Sequence, residues 1–181
     1  MSEADSRHVA LLRAVNVGGR KVAMARLREL FAGAGFTDVS TYIQTGNVIF
    51  TSDRPPGPRI SELERQIDVE FGVPGTVILR SAAELAAVIG ANPYLDREPD
   101  QAKLHVTFLV GTPDPAKVAA ASVPAGESAE FQVTGRDVFL HTPDGYGRTK
   151  VSNSYLERRL GTPGTTRNWR TVLKLHGLVA G

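Results

Sequence analysis

The stretch that most limits the fold is 39–51, where two runs of β-branched and aromatic residues, Val39 to Ile43 and Val48 to Thr51, flank Gln44, Thr45, Gly46 and Asn47. Strand-forming residues on both sides of a short Gly/Asn turn read as a hairpin. A hairpin must bury one face, and its neighbours supply the cover. His8 to Ala14 reads as a short buried strand, and Met24, Leu27, Leu30, Phe31 and Ala34 then recur at helical spacing until Gly35 stops the helix. Ile60, Leu63, Ile67 and Phe71 mark one face of a second helix, and Thr76 to Arg80 supplies a fourth strand. The order βαββαβ is the split βαβ pattern of a ferredoxin-like layer, with helices on one face of an antiparallel sheet.

The second half begins again. Ser81 with Glu84 three residues on is a capping box, opening a helix that buries Leu85, Val88 and Ile89. Asn92 to Gln101, rich in Pro and Asp, is a surface loop. Lys103 to Val110 reads as a strand, Asp114 to Ala121 as a short helix, and Glu130 to Thr134 as a strand paired with Asp137 to His141 across Gly135 and Arg136. Ser152 to Leu160 and Thr166 to Leu178 read as helices. The order βαββαα is a degenerate echo of the first half, and no identity between the halves is apparent. The expectation is an α+β chain of two ferredoxin-like (split βαβ) subdomains, 1–80 and 103–181, with helices packed on antiparallel sheets. A connecting helix and loop at 81–102 joins them, and two extra helices end the second.

A length of 181 residues, 41% apolar and 22% charged, suits one ordinary domain or two small subdomains and excludes whole-chain disorder. Cys is absent, so disulfide frameworks and thiolate chemistry are excluded. The N-terminus is acidic where a signal peptide is basic, and no stretch approaches the roughly 20 apolar residues of a membrane span. A soluble, cytoplasmic protein without membrane contact is expected. His8, His105, His141 and His176 are scattered outside ligand spacings, Ser occurs in no GxSxG elbow, and neither a metal nor an organic cofactor is expected.

Charge is segregated. Arg136 to Lys174 holds eight Lys or Arg against Asp137, Asp144 and Glu157, a balance of +5, whereas the first 135 residues sum to −3. Such a concentration of donors suits an anion, because fixed N–H groups and Arg forks replace its lost hydration. In the final helix Trp169, Val172, Leu173 and His176 form a stripe at buried spacing, and Arg167, Arg170, Thr171 and Lys174 fall on the other side. Capped by Thr165 or Thr166, that helix carries Arg167 in its first turn, against the macrodipole, an arrangement that an anion between them would reconcile. A solvated helix face is the plainer explanation. A second anion candidate is the loop Asn16, Val17, Gly18, Gly19, Arg20 and Lys21, which joins a strand to a helix but lacks P-loop and dinucleotide spacing.

Four motifs carry a family resemblance: LLRAVNVGG from Leu11, YIQTGNV at Tyr42 to Val48, YGRTKVSN at Tyr146 to Asn153, and TTRNWRTVLKL at Thr165 to Leu175. Together they resemble the bacterial family called domain of unknown function 1697 over nearly the whole chain. The resemblance implies a cytosolic α+β fold and no established activity. Ala14 stands where that family suggests Gly, and Arg26 where it suggests an acidic residue.

Three functional readings follow. The first is a site for a phosphorylated small molecule or nucleotide, where Arg148, Lys150 and Arg167 neutralise charge and Asn16, Asn153 and Asn168 orient the ligand beside Gly18, Gly19, Arg20 and Lys21. The second is a nucleic-acid module with a basic helix on the phosphate backbone, although the sheet strand Asn47 to Thr51 lacks the aromatic pair of RNA-binding sheets. The third is an interaction protein, a homodimer whose polar run knits its halves together. Whether any of these includes catalysis is not written in the sequence.

Overall fold

The computed structural model describes residues 6–13 and 21–181. Its elements run β1 (Ser6–Leu12), α1 (Met24–Gly33), β2 (Thr37–Tyr42), β3 (Asn47–Ser52), α2 (Gly57–Phe71), β4 (Val77–Ser81) and α3 (Ala82–Ala91). They continue with β5 (Leu104–Leu109), α4 (Pro115–Ala120), β6 (Glu130–Thr134), β7 (Asp137–His141), α5 (Asn153–Leu160), β8 (Gly164–Asn168) and α6 (Trp169–Ala180). Among the described residues no helix is long and apolar enough to cross a membrane. Two compact units result: one takes in the described residues up to Ala86 together with Leu175–Gly181, the other Ala87–Lys174.

In the first unit an antiparallel sheet has the order β2-β3-β1-β4. Ala10, Leu12, Val48 and Phe50 face α1 and α2, meeting Leu27, Leu30, Phe31, Ile60, Leu63 and Ile67 in one core. The opposite face is buried too, through Val9, Leu11, Ile49 and Ile78. Burial on both faces explains why the strand sequence is a continuous apolar run rather than an alternation. Arg7 donates to the Leu178 carbonyl at 3.0 Å, which ties the C-terminal segment to β1.

The second unit has the order β6-β7-β5-β8, again antiparallel throughout. Leu109, Val138 and Leu140 pack with Tyr155, Leu156 and Leu160 of α5, while Val106, Phe108 and Phe139 are buried on the other face. Both units are therefore ferredoxin-like layers in an α+β chain.

One element differs from the sequence expectation. Gly164–Asn168 is a strand, and the last helix starts at Trp169 rather than Thr166. Its cap is Asn168, whose Oδ1 accepts the Thr171 N–H at 2.9 Å, and not Thr165 or Thr166. The buried stripe of α6 shifts with it to Trp169, Val172, Leu175 and Val179. With this strand in place α5 becomes a crossover helix, and the second unit repeats the first element for element, βαββαβ followed by a helix.

The repeat extends to single residues. Each crossover helix ends on a glycine at positive φ, Gly72 (63°) and Gly161 (70°), where the left-handed turn costs glycine nothing. Each opens the same pattern, Gly-x-Pro-Gly-Thr, at Gly72–Thr76 and Gly161–Thr165. The sequence halves thus share a short identity that emerges only once the elements are aligned. Each fourth strand then carries a buried arginine, Arg80 opposite Val9 and Arg167 opposite Val106.

Candidate functional site

The polar run of the second unit starts at Gly145, whose φ of 93° turns the chain into a 3-10 turn at Tyr146–Arg148. The Glu127 carboxylate accepts the Lys150 N–H and the Thr149 hydroxyl, both at 3.0 Å, and these bonds hold Glu127 below the usual carboxylate range. The Lys150 N–H is thus met by the protein's own anion. The side chains of Arg148 and Lys150 extend from this loop into solvent.

Ser152 caps α5 by accepting the Tyr155 N–H at 3.2 Å. Asn153, the first residue of the helix, donates to the Gly164 carbonyl at 3.0 Å and to Glu157 at 2.7 Å, and accepts the Thr166 hydroxyl at 2.9 Å. The Thr166 hydroxyl lies 2.7 Å from that of Thr107. This chain of bonds seals α5 to the β5–β8 ladder and sits on the helix-covered face.

Strand alternation separates Asn153 from Arg167. Thr166 pairs with Thr107 on the helix side, so Arg167, one residue on and opposite Val106, points to the other face. Arg167 is buried; its Nη1 donates to the Thr165 hydroxyl at 2.5 Å and to the Thr166 carbonyl at 3.1 Å. Burial pushes its guanidinium down to about 10. The placement expected from sequence, in the first turn of a helix against the macrodipole, is corrected: Arg167 belongs to β8. Arg80 repeats the arrangement, donating to the Leu79 carbonyl at 2.8 Å.

The structure therefore distributes the sequence-predicted residues rather than gathering them. Arg148 and Lys150 are exposed on the loop, Asn153 is a helix-side fastener, Asn168 is an exposed helix cap and Arg167 is buried on the opposite face. Lys21 is exposed ahead of α1. Asn16, Gly18, Gly19 and Arg20 lie outside the described residues. In the first unit, a shallow groove of about 460 Å³ between α1 and β2 is lined by Arg28, Glu29, Phe36 and Asp38 and contains none of the predicted residues.

Two further residues stand out, His105 and Arg80. His105, opposite Asn168 in the ladder, stacks on Tyr146 with ring centroids 4.6 Å apart. Burial pushes it down to about 4, and its Nδ1 has no hydrogen-bond partner. By sequence Arg80 is simply the end of a strand; the Gly-x-Pro-Gly-Thr pattern shared with the stretch before Arg167 is the signal that pairs the two.

Residues 6–139, well over half of the chain, match the family described as a protein of unknown function, DUF1697. The chain belongs to the DUF1697 family. The matched segment of this DUF1697 protein runs from β1 into β7, ending at Phe139 before the polar run. A conserved bacterial protein from Streptococcus pneumoniae has a similar solved structure, with a TM-score of 0.78 at 24% identity, covering 98% of this chain and 100% of that one. That likeness shows the fold. Among curated proteins none matches the sequence.

Proposed function

We propose that this DUF1697 protein binds a small anionic ligand, phosphorylated or nucleotide-like, with Arg167 as the charge anchor. The observation that carries the reading is a guanidinium buried in β8, where burial disfavours its charged form. An anion beside such a group offsets the desolvation that disfavours its charge, and a planar guanidinium matches phosphate or carboxylate geometry. The exposed Arg148 and Lys150 add to the positive field through which an anion approaches. A nucleic-acid module of ferredoxin type would offer an open sheet face, whereas Val9, Leu11 and Ile49 in one sheet and Val106, Phe108 and Phe139 in the other are buried.

Calorimetric titration with inorganic phosphate, pyrophosphate and a mononucleotide tests the reading. We expect saturable binding of at least one of these to the wild type, weakened at least tenfold by Arg167→Met and less by Arg148→Ala. A wild type that binds none of them, or an Arg167→Met protein that binds as well as wild type, overturns it. Binding confined to oligonucleotides and falling steeply with salt would return the nucleic-acid reading instead.

A further inference from the structure

Each sheet has two edge strands, and three of the four edges are closed by particular devices. In β2 the register shifts between Thr37 and Ser40, with Asp38 at a φ of 49°, a bulge that spoils further pairing. On β4 the Glu64 carboxylate accepts the Val77 N–H at 3.2 Å and Arg80 occupies the Leu79 carbonyl. On β8 Asn153 occupies the Gly164 carbonyl and Arg167 the Thr166 carbonyl.

β6 has no such closure. It pairs with β7 residue for residue from Glu130 to Thr134, without a bulge. The two-residue turn at Gly135 and Arg136 makes Thr134 and Asp137 a hydrogen-bonded pair, so Thr134, Gln132 and Glu130 aim their main-chain groups at β7. Phe131 and Val133 must then aim theirs outward. Among the described residues, no hydrogen bond meets the main-chain groups of either.

We propose that this edge pairs with the same edge of a second copy, forming an antiparallel two-fold dimer centred on Gln132. The strand is self-complementary in that register. Phe131 faces Val133 of the second copy in hydrogen-bonded pairs that use the outward groups, and the exposed Gln132 side chains meet at the dyad, where two amides donate and accept reciprocally. Glu130 falls opposite Thr134, which keeps the carboxylates of the two copies apart. A slip in either direction shortens the overlap. Phe131 and Val133 lie half-buried against the α5 core, so their remaining apolar surface becomes continuous across the dyad. Five residues per copy make a small contact, so the dimer forms in a concentration-dependent way.

Sedimentation velocity across a wide concentration range tests this, with circular dichroism confirming that each variant folds. Val133→Pro deletes an outward N–H without touching the β7 ladder and is expected to abolish the dimer, while Val133→Ala, which keeps that donor, retains it. Gln132→Lys and Gln132→Glu, at an exposed position, are each expected to be monomeric alone and to dimerise when mixed in equal amounts. A wild type that stays monomeric at every concentration overturns the proposal. So does a dimer that survives both Val133→Pro and Gln132→Lys, or a Lys/Glu mixture that fails to associate.

Discussion

At the scale of single residues, the polar run is mostly a set of fasteners. Asn153, Asn168, Thr149 and Thr166 each meet an intramolecular partner, so their abundance in sequence reflects the burial of a Thr-rich strand as much as any ligand. Their types were legible; their directions were not, because alternation along β8 decides which side chain faces which layer. A strand can aim His105 at a cleft, but the sequence does not show its partner, because the ring it stacks on, Tyr146, is forty-one positions away. Its titration gives a pH prediction. The unfolded chain takes up this proton near the ordinary value of 6.5, whereas the folded state resists until about 4, so the unfolded state binds more protons between these values and stability falls as pH drops through them. Glu98, Glu127 and Glu130, held below 4.5, add losses that begin lower. His105→Leu should flatten the loss between pH 6.5 and 4.5 in urea titrations; a profile unchanged from wild type there contradicts the assignment.

At the scale of elements, the strands and helices of the first unit were readable because each had a periodicity and a stop signal. The capping box at Ser81 behaves as its spacing implies, with the Ser81 N–H on Glu84 at 2.8 Å and the Glu84 N–H on the Ser81 hydroxyl at 3.2 Å. β8 was hidden. It is five residues of Gly, Thr, Arg and Asn that pass directly into a helix, and Asn168 caps that helix with no acidic residue at Thr171 to announce it. The tight turns before β4 and β8 explain the shared pattern. A Cβ on Gly75 would overlap the Glu64 carbonyl, and one on Gly164 would lie 2.9 Å from the Phe108 carbonyl. Gly75→Ala and Gly164→Ala should each destabilise by roughly 1–3 kcal/mol in chemical denaturation. Gly90→Ala, within α3 and with open space around it, should stabilise by about 0.5–1 kcal/mol. Equal effects at all three positions would show that the turns tolerate a side chain and that the repeated glycines have another origin.

At the scale of the whole molecule, two units share one topology, one Gly-x-Pro-Gly-Thr turn and one buried arginine on the fourth strand. The sequence showed half of this repeat and lost the rest with β8. The functional claim rests on whether Arg167 holds a place for an anion or only braces the strand edge, and thermal unfolding with and without phosphate or sulfate separates the two. If Arg167 serves a ligand rather than the strand, Arg167→Met removes the guanidinium together with its desolvation, and the free protein loses little stability. The account predicts that wild type gains melting temperature with rising phosphate or sulfate, and that Arg167→Met melts at or above wild type without anions yet gains nothing from them. A wild type indifferent to every anion, with an Arg167→Met protein that unfolds early, would contradict it.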